Sequence, residues 1–340
     1  MSHGKSSLQQ SAEFTADAIP LPVVAGRVMR DYLAVRPGER VLIVVDSRTD
    51  SALAPALAGE AAAVGADPVV VTIVPRPRSG SEPPAPVSAA MCAADVVLCA
   101  ASTSLYHTSA KAAAQRAGAR GVFNAPHRLD AWTKGAMTAD FFAIRRQAEQ
   151  LADLFRRTRE VRVTSPAGTD LVARIEGREP VAWLTGICHH PGEVSAYPGG
   201  EVSLPPLEGT SRGTIVWESV ASDLGRIVEP VTITVRDGRV SEVRGGREAD
   251  RLRQILEEVA DADNIAEIGI GLNPRARIGD DITESKKALG TAHIALGDSA
   301  NEYGGLVECE VHLDGLIHRP TVLFDGVPVV VDGQHVYLAR

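Results

Sequence analysis

The segment "VLIVVD" (residues 41–46) narrows the possible folds more than any other stretch of this chain. It is aliphatic at every position up to a closing aspartate, so neither side of the strand it would form tolerates water. Behind it comes "SALAPALAGEAAAVGA", alanine-rich and long enough for a helix, and then "DPVVVTIV", a second apolar run. "ADVVLCA" and "RGVFNA" repeat the pattern, separated by the helical "TSAKAAAQRAG". Apolar strands alternating with helices predict a parallel sheet covered on both faces. Ligand crevices in such sheets lie at the carboxyl ends of the strands, which places "DSRTD" and "ASTSLYH" at the rim. "VVDSRTDSA" lacks the G-x-G-x-x-G spacing of a dinucleotide site, and Asp46, Ser47, Thr49 and Asp50 read as turn and helix-capping residues.

The amphipathic "ADFFAIRRQAEQLADLFRRT" reads as a linking helix, and beyond it the texture changes. Alternating strands and Gly-rich turns dominate, with hairpin signals at 164–169 and at Asp237-Gly238 and a single further helical segment, "READRLRQILEEVAD". At 340 residues the chain exceeds what one hydrophobic core usually supports. The expected fold is an α/β (Rossmann-like) N-terminal domain with a mainly parallel sheet over residues 1–160, followed by a strand-rich α+β domain over residues 161–340.

A formal net charge of −8, with Lys and Arg scattered along the chain, provides no basic stripe and argues against nucleic acid as a partner. No apolar run reaches the roughly 18–20 residues of a bilayer span. "MSHGKSSLQQSAEF" opens a polar leader reaching to about residue 18 and lacks the apolar centre of a signal peptide, so a cytoplasmic location is expected. Cys92, Cys99, Cys188 and Cys309 form neither a disulfide framework nor a thiolate zinc pattern. Any metal would have to be held by histidines and carboxylates.

Such residues occur where the pattern does not expect them. In "ECEVHLDG" the two-residue period of a strand points Glu310, His312 and Asp314 to one face, which is either a solvated edge or one wall of a site. Glu267 interrupts the apolar "DNIAEIGIGL", and a buried carboxylate is costly unless paired or bound to metal. His293 in "GTAHIALGDS" is a similar misfit, Glu201 follows a Gly-Gly turn in "SAYPGGEVSL", and His189 and His190 in "CHHPGE" are candidates to line the same site.

In order and local setting these residues resemble the metal-dependent aminopeptidases of the aminopeptidase T and aminopeptidase S type, over roughly residues 195–335. Glu201 ahead of "LEGT", Glu267, His293 in "-HIALG-" and the His312-x-Asp314 pair carry the resemblance. It implies one divalent ion (Zn, Mn, Co or Fe) held by Glu201, Glu267 and His293, a second held by Glu267, His312 and Asp314, and a homodimer. The family's catalytic tyrosine, seven residues after the histidine, is replaced by Ala300; Tyr303 is the nearest substitute. The chain is closer in length to a side branch that includes the 2,5-dihydroxypyridine ring-cleaving dioxygenases, which it resembles around "IGIGLNPRAR" and "HLDG". Those bind one Fe²⁺ through two histidines and an aspartate, and one of the histidines would fall at Glu267.

Because Glu201, Glu267 and His293 are all present, the leading expectation is a two-metal hydrolase of amide or peptide bonds, aminopeptidase-like or an amidase of a small molecule, acting on a small-molecule or short-peptide substrate. Glu201 or Glu310 is then the candidate to accept the water's proton, and Tyr303 or His190 the candidate to steady the oxyanion. The alternative is a single-Fe²⁺ dioxygenase opening a dihydroxypyridine-type ring.

Overall fold

The computed structural model describes residues 18–300 and 303–339; the polar leader up to residue 17 lies outside the described residues. An α/β layer is followed by strand-rich antiparallel layers. The strands Arg40–Asp46, Asp67–Ile73, Val96–Cys99 and Arg120–Val122 pair in parallel, with Arg40–Asp46 between the second and third. The first strand is buried at every position after Arg40, as its lack of polar alternation requires. A fifth parallel strand, Val194–Ser195, comes from beyond the linking helix, so the second half of the chain completes the first sheet.

The linking helix spans Phe141–Arg156, capped by Asp140, whose carboxylate accepts from the Phe142 and Ala143 amides. Beyond it, an eight-stranded antiparallel sheet includes the hairpin Val231–Arg236/Arg239–Arg244. Asp237 and Gly238 both take positive φ, +47° and +75°, the conformation a two-residue hairpin turn demands.

A third sheet carries the chemistry. From one edge inward its strands are, in spatial order, Glu201–Leu204, Ile265–Gly271, Thr291–Gly297 and His312–His318, all antiparallel. One face packs into the core: Gly315 leaves space for the Trp217 ring, which would lie 2.0 Å from a Cβ there, and the Trp217 indole N–H donates to the Ile294 carbonyl at 3.2 Å. The last strand begins only at His312. Segment 305–311 is a loop whose carbonyls at Val307 and Val311 accept from Ser299, Ala300 and Asp298. Glu310 therefore lies outside the strand. No helix among the described residues is long and apolar enough to cross a membrane.

Candidate metal centre

The register of the third sheet collects the misfit residues. Glu267 pairs with Ala295 and Ala295 with Asp314, His293 pairs with Gly269, Glu201 with Gly271, and His312 with Gly297. Directly paired residues share a face, and so do residues two apart, so all five polar side chains project from the face opposite the core. Their strand neighbours on that face are Gly269, Gly271, Ala295 and Gly297, which leave the room. A Cβ on Gly269 would sit 2.1 Å from the His293 ring, so glycine is what lets the imidazole lie across the neighbouring strand.

The result is a buried cluster of ligand atoms. Glu201, Glu267 and His293 are at most 1% exposed, and Asp314 is 7% exposed. Two sets of three can each converge on a point: Glu201 with Glu267 and His293, and Glu267 with His312 and Asp314. His293 Nε2 lies 3.4 Å from both Glu201 Oε2 and Glu267 Oε1, and His312 Nε2 lies 2.8 Å from Glu267 Oε2 and 3.5 Å from Asp314 Oδ1. Glu201 Oε2, Asp314 Oδ1 and His293 Nδ1 are buried without a hydrogen-bond partner. Buried polar atoms left in this state point to a missing partner. A divalent cation suits these imidazole and carboxylate donors.

Two lysines enter the same cluster from the turn after the short helix Ile282–Ser285. Lys286 Nζ lies 3.0 Å from Asp314 Oδ2 and 3.7 Å from Glu201 Oε2, and Lys287 Nζ donates to Glu201 Oε1. Burial would drain charge from all these groups, but the surrounding ions outweigh it at most of them. Glu267 is held well below the usual carboxylate range by the Lys286 charge and the hydrogen bonds of both histidines; Glu201 and Asp314 are also lowered, with Lys286 the leading cause at each. Lys286 is held above its ordinary value by Asp314, Glu201 and Glu267, whereas burial pulls Lys287 below its own. His312 is pushed up to about 10, against burial, by hydrogen bonds to Asp314 and Glu267. Its Nδ1 faces the Asp298 carbonyl at 2.8 Å, which orients the ring and aims Nε2 at the carboxylates.

The remaining candidates divide. Tyr303 stacks on His312, with ring centroids 4.9 Å apart and planes 8° from parallel, so it reaches the edge of the cluster. His190 does not. It is exposed, its amide donates to Glu193, and its loop is tied by Gly192 to Gly118, at the amino end of the parallel strands, whereas Glu201 follows their carboxyl end. Glu310 is exposed on the loop before the last strand, because the two-residue alternation that would align it with His312 and Asp314 starts only at His312. His189 is tied to the Asp31 carbonyl. At the carboxyl ends of the parallel strands, a cavity of about 240 Å³ is lined by residues including Ser102, Asn124, His127, Tyr197 and Glu284. Asp46 closes that end of its strand, accepting from the Ser102 amide and hydroxyl at 2.7 and 2.6 Å.

The sequence profile of the 2,5-dihydroxypyridine 5,6-dioxygenase family (NicX) matches residues 28–337. The chain belongs to this family. No curated protein matches it. Its fold is that of a 2,5-dihydroxypyridine dioxygenase from Pseudomonas putida KT2440, with a TM-score of 0.76, 20% identity, and coverage of 93% of this chain and 96% of that one. Wild-type AmpT from Thermus thermophilus shares the fold at a TM-score of 0.69 and 20% identity, over 93% of this chain and 98% of that one.

Family membership corrects the leading expectation from the sequence. The chain falls on the dioxygenase side of the two resemblances, and the metallohydrolase reading, with its aminopeptidase and amidase variants, is overturned by the family match. The error came from weighting Glu201, Glu267 and His293 as a hydrolytic set. The lysines carried no sequence signal, since nothing local in "ESKKALG" marks the pair as buried.

Proposed function

We propose that this protein is a metal-dependent dioxygenase that opens a hydroxylated nitrogen-containing aromatic ring of the dihydroxypyridine type. The family match over residues 28–337 carries the reading. The buried carboxylate oxygens Glu201 Oε2 and Asp314 Oδ1, beside two histidines and without a hydrogen bond, support a divalent metal as cofactor.

In this proposal Glu267, His312 and Asp314 hold Fe²⁺. Glu267 sits on one strand and His312 and Asp314 on another, the two flanking Thr291–Gly297 on one face of the sheet, so their spacing is set by backbone hydrogen bonds. The iron would supply the one-electron chemistry by which an electron-rich ring reacts with dioxygen. The residues around it prepare the site. To hold the metal, His312 would give up its Nε2 proton, with Nδ1–H directed at Asp298 O. The Tyr303 ring covers one face of the His312 imidazole and limits its rotation. The Lys286 ammonium, adjacent to Asp314, presents a positive group to an ionised ring hydroxyl. With Glu267 where a second histidine is expected, the ligand set is richer in oxygen than the two-histidine, one-carboxylate face of many non-haem iron oxygenases.

The test is oxygen uptake by protein reconstituted anaerobically with Fe²⁺, across a panel of dihydroxypyridines and dihydroxybenzenes. Uptake that depends on both iron and a dihydroxypyridine, and is lost in Asp314→Asn, is expected. No uptake by iron-loaded protein on any member of the panel would overturn the proposal.

A further inference from the structure

Five metal-ligand side chains in two overlapping triplets would ordinarily hold two ions about 3.5–4 Å apart, with Glu267 as the bridge. The lysines alter that count. Lys286 Nζ contacts one oxygen from each triplet, Glu201 Oε2 of the first and Asp314 Oδ2 of the second, and Lys287 Nζ pairs with the remaining Glu201 oxygen. Both lysines are buried, at 8% and 3% exposure.

We propose that Lys286 and Lys287 supply the charge of a second metal ion and thereby limit this cluster to one divalent cation, bound by Glu267, His312 and Asp314. The inference rests on the metal reading above but not on the reaction. Three buried carboxylates face two ammonium groups, leaving one formal negative charge. With neutral histidines, one divalent ion brings the cluster to a single positive charge, the same value that two ions would give if the lysines were absent. Two ions together with both lysines would leave three uncompensated positive charges in a largely buried site, which is strongly unfavourable.

The ammonium groups are also fixed in place. Asp281 caps the short helix by accepting from the Thr283 amide, and Glu284 on that helix accepts from the Ala136 amide and from Arg277. Directly after the two lysines, the Lys287 carbonyl accepts from the Asn273 amide and Leu289 donates to the Asn273 carbonyl. The backbone on both sides of the pair is therefore tied down, which sets where the two side chains enter the cluster. Glu201 faces a lysine with each of its oxygens, whereas Asp314 gives only Oδ2 to Lys286 and keeps Oδ1 to ligate beside Glu267 and His312.

Metal stoichiometry tests this without reference to turnover. Protein equilibrated anaerobically with excess Mn²⁺ and desalted should retain one ion per chain by elemental analysis, with the electron paramagnetic resonance signal of an isolated Mn²⁺. The double variant Lys286→Met/Lys287→Met should retain two, with an exchange-coupled signal, and the charge-keeping Lys286→Arg/Lys287→Arg should retain one. Two ions in the wild type, or one ion in a folded double-methionine variant, would overturn the proposal. Should the methionine variant not fold, the charge-balanced Glu201→Gln/Lys287→Met decides: its single-ion affinity is expected within about a hundredfold of wild type, because Glu201 serves the lysines, and a larger loss would make it a ligand and overturn the proposal. No tightly held ion in the wild type would defeat the metal reading as well, whereas two ions would defeat this inference alone.

Discussion

Gly269 illustrates how much of the centre is decided one residue at a time. Its missing side chain is the space occupied by the His293 ring. Gly269→Ala is expected to push the imidazole aside and lower stability by about 1–3 kcal/mol, the usual cost of overpacking a buried site, measured as a shift in the urea midpoint. Glu267→Ala makes a different prediction, because Glu267 accepts from both histidines and belongs to both ligand triplets: tight metal binding should fall by more than about a hundredfold in an equilibrium titration. Undiminished binding would remove Glu267 from the ligand set. Glu267 and His293 were legible in the sequence because each is a polar side chain in an apolar segment, His312 and Asp314 as the polar face of an alternating strand, and Glu201 through the resemblance. Lys286 and Lys287 were not, since lysines after a helix are ordinarily solvated and nothing local marks these as buried. Glu310 was over-read by extending a strand period past its true start, and His190 by taking adjacency in sequence to Glu201 as adjacency in space.

Among the elements, the apolar strands of the parallel sheet were legible because burial on both faces leaves no polar positions, and the Asp237-Gly238 hairpin because its turn needs residues that tolerate positive φ. The two-residue strand Val194–Ser195 was not, as two residues carry no period. The short helix Ile282–Ser285 escaped for the same reason, although it positions both lysines. The start of the strand Arg120–Val122 offers a test of the first sheet's construction. Arg120 is buried there, donating to the carbonyls of Leu33 and Ala34 and bidentately to Glu39 at 2.9 and 2.7 Å. Arg120→Met would strand the Glu39 carboxylate and two carbonyls, and is expected to cost about 3 kcal/mol in chemical denaturation. A change below about 0.5 kcal/mol, typical of a surface substitution, would show that the first sheet does not depend on this pair.

For the molecule as a whole, an α/β layer and strand-rich layers were readable from the switch in hydrophobic period near the linking helix. The return of residues 194–195 to the first sheet was not, because which edge a strand joins is decided by tertiary packing. Nor could ligand residues alone choose the family: the same fold is shared by a dihydroxypyridine dioxygenase and by AmpT, and the sequence profile assigns the chain to the first one's family. The central claim is that both atoms of dioxygen enter a cleaved ring. Iron-loaded protein given a dihydroxypyridine under ¹⁸O₂, quenched promptly and examined by mass spectrometry, tests it most directly. The account predicts a ring-opened product carrying two ¹⁸O atoms; a product carrying one or none, or a substrate ring left intact, would contradict it.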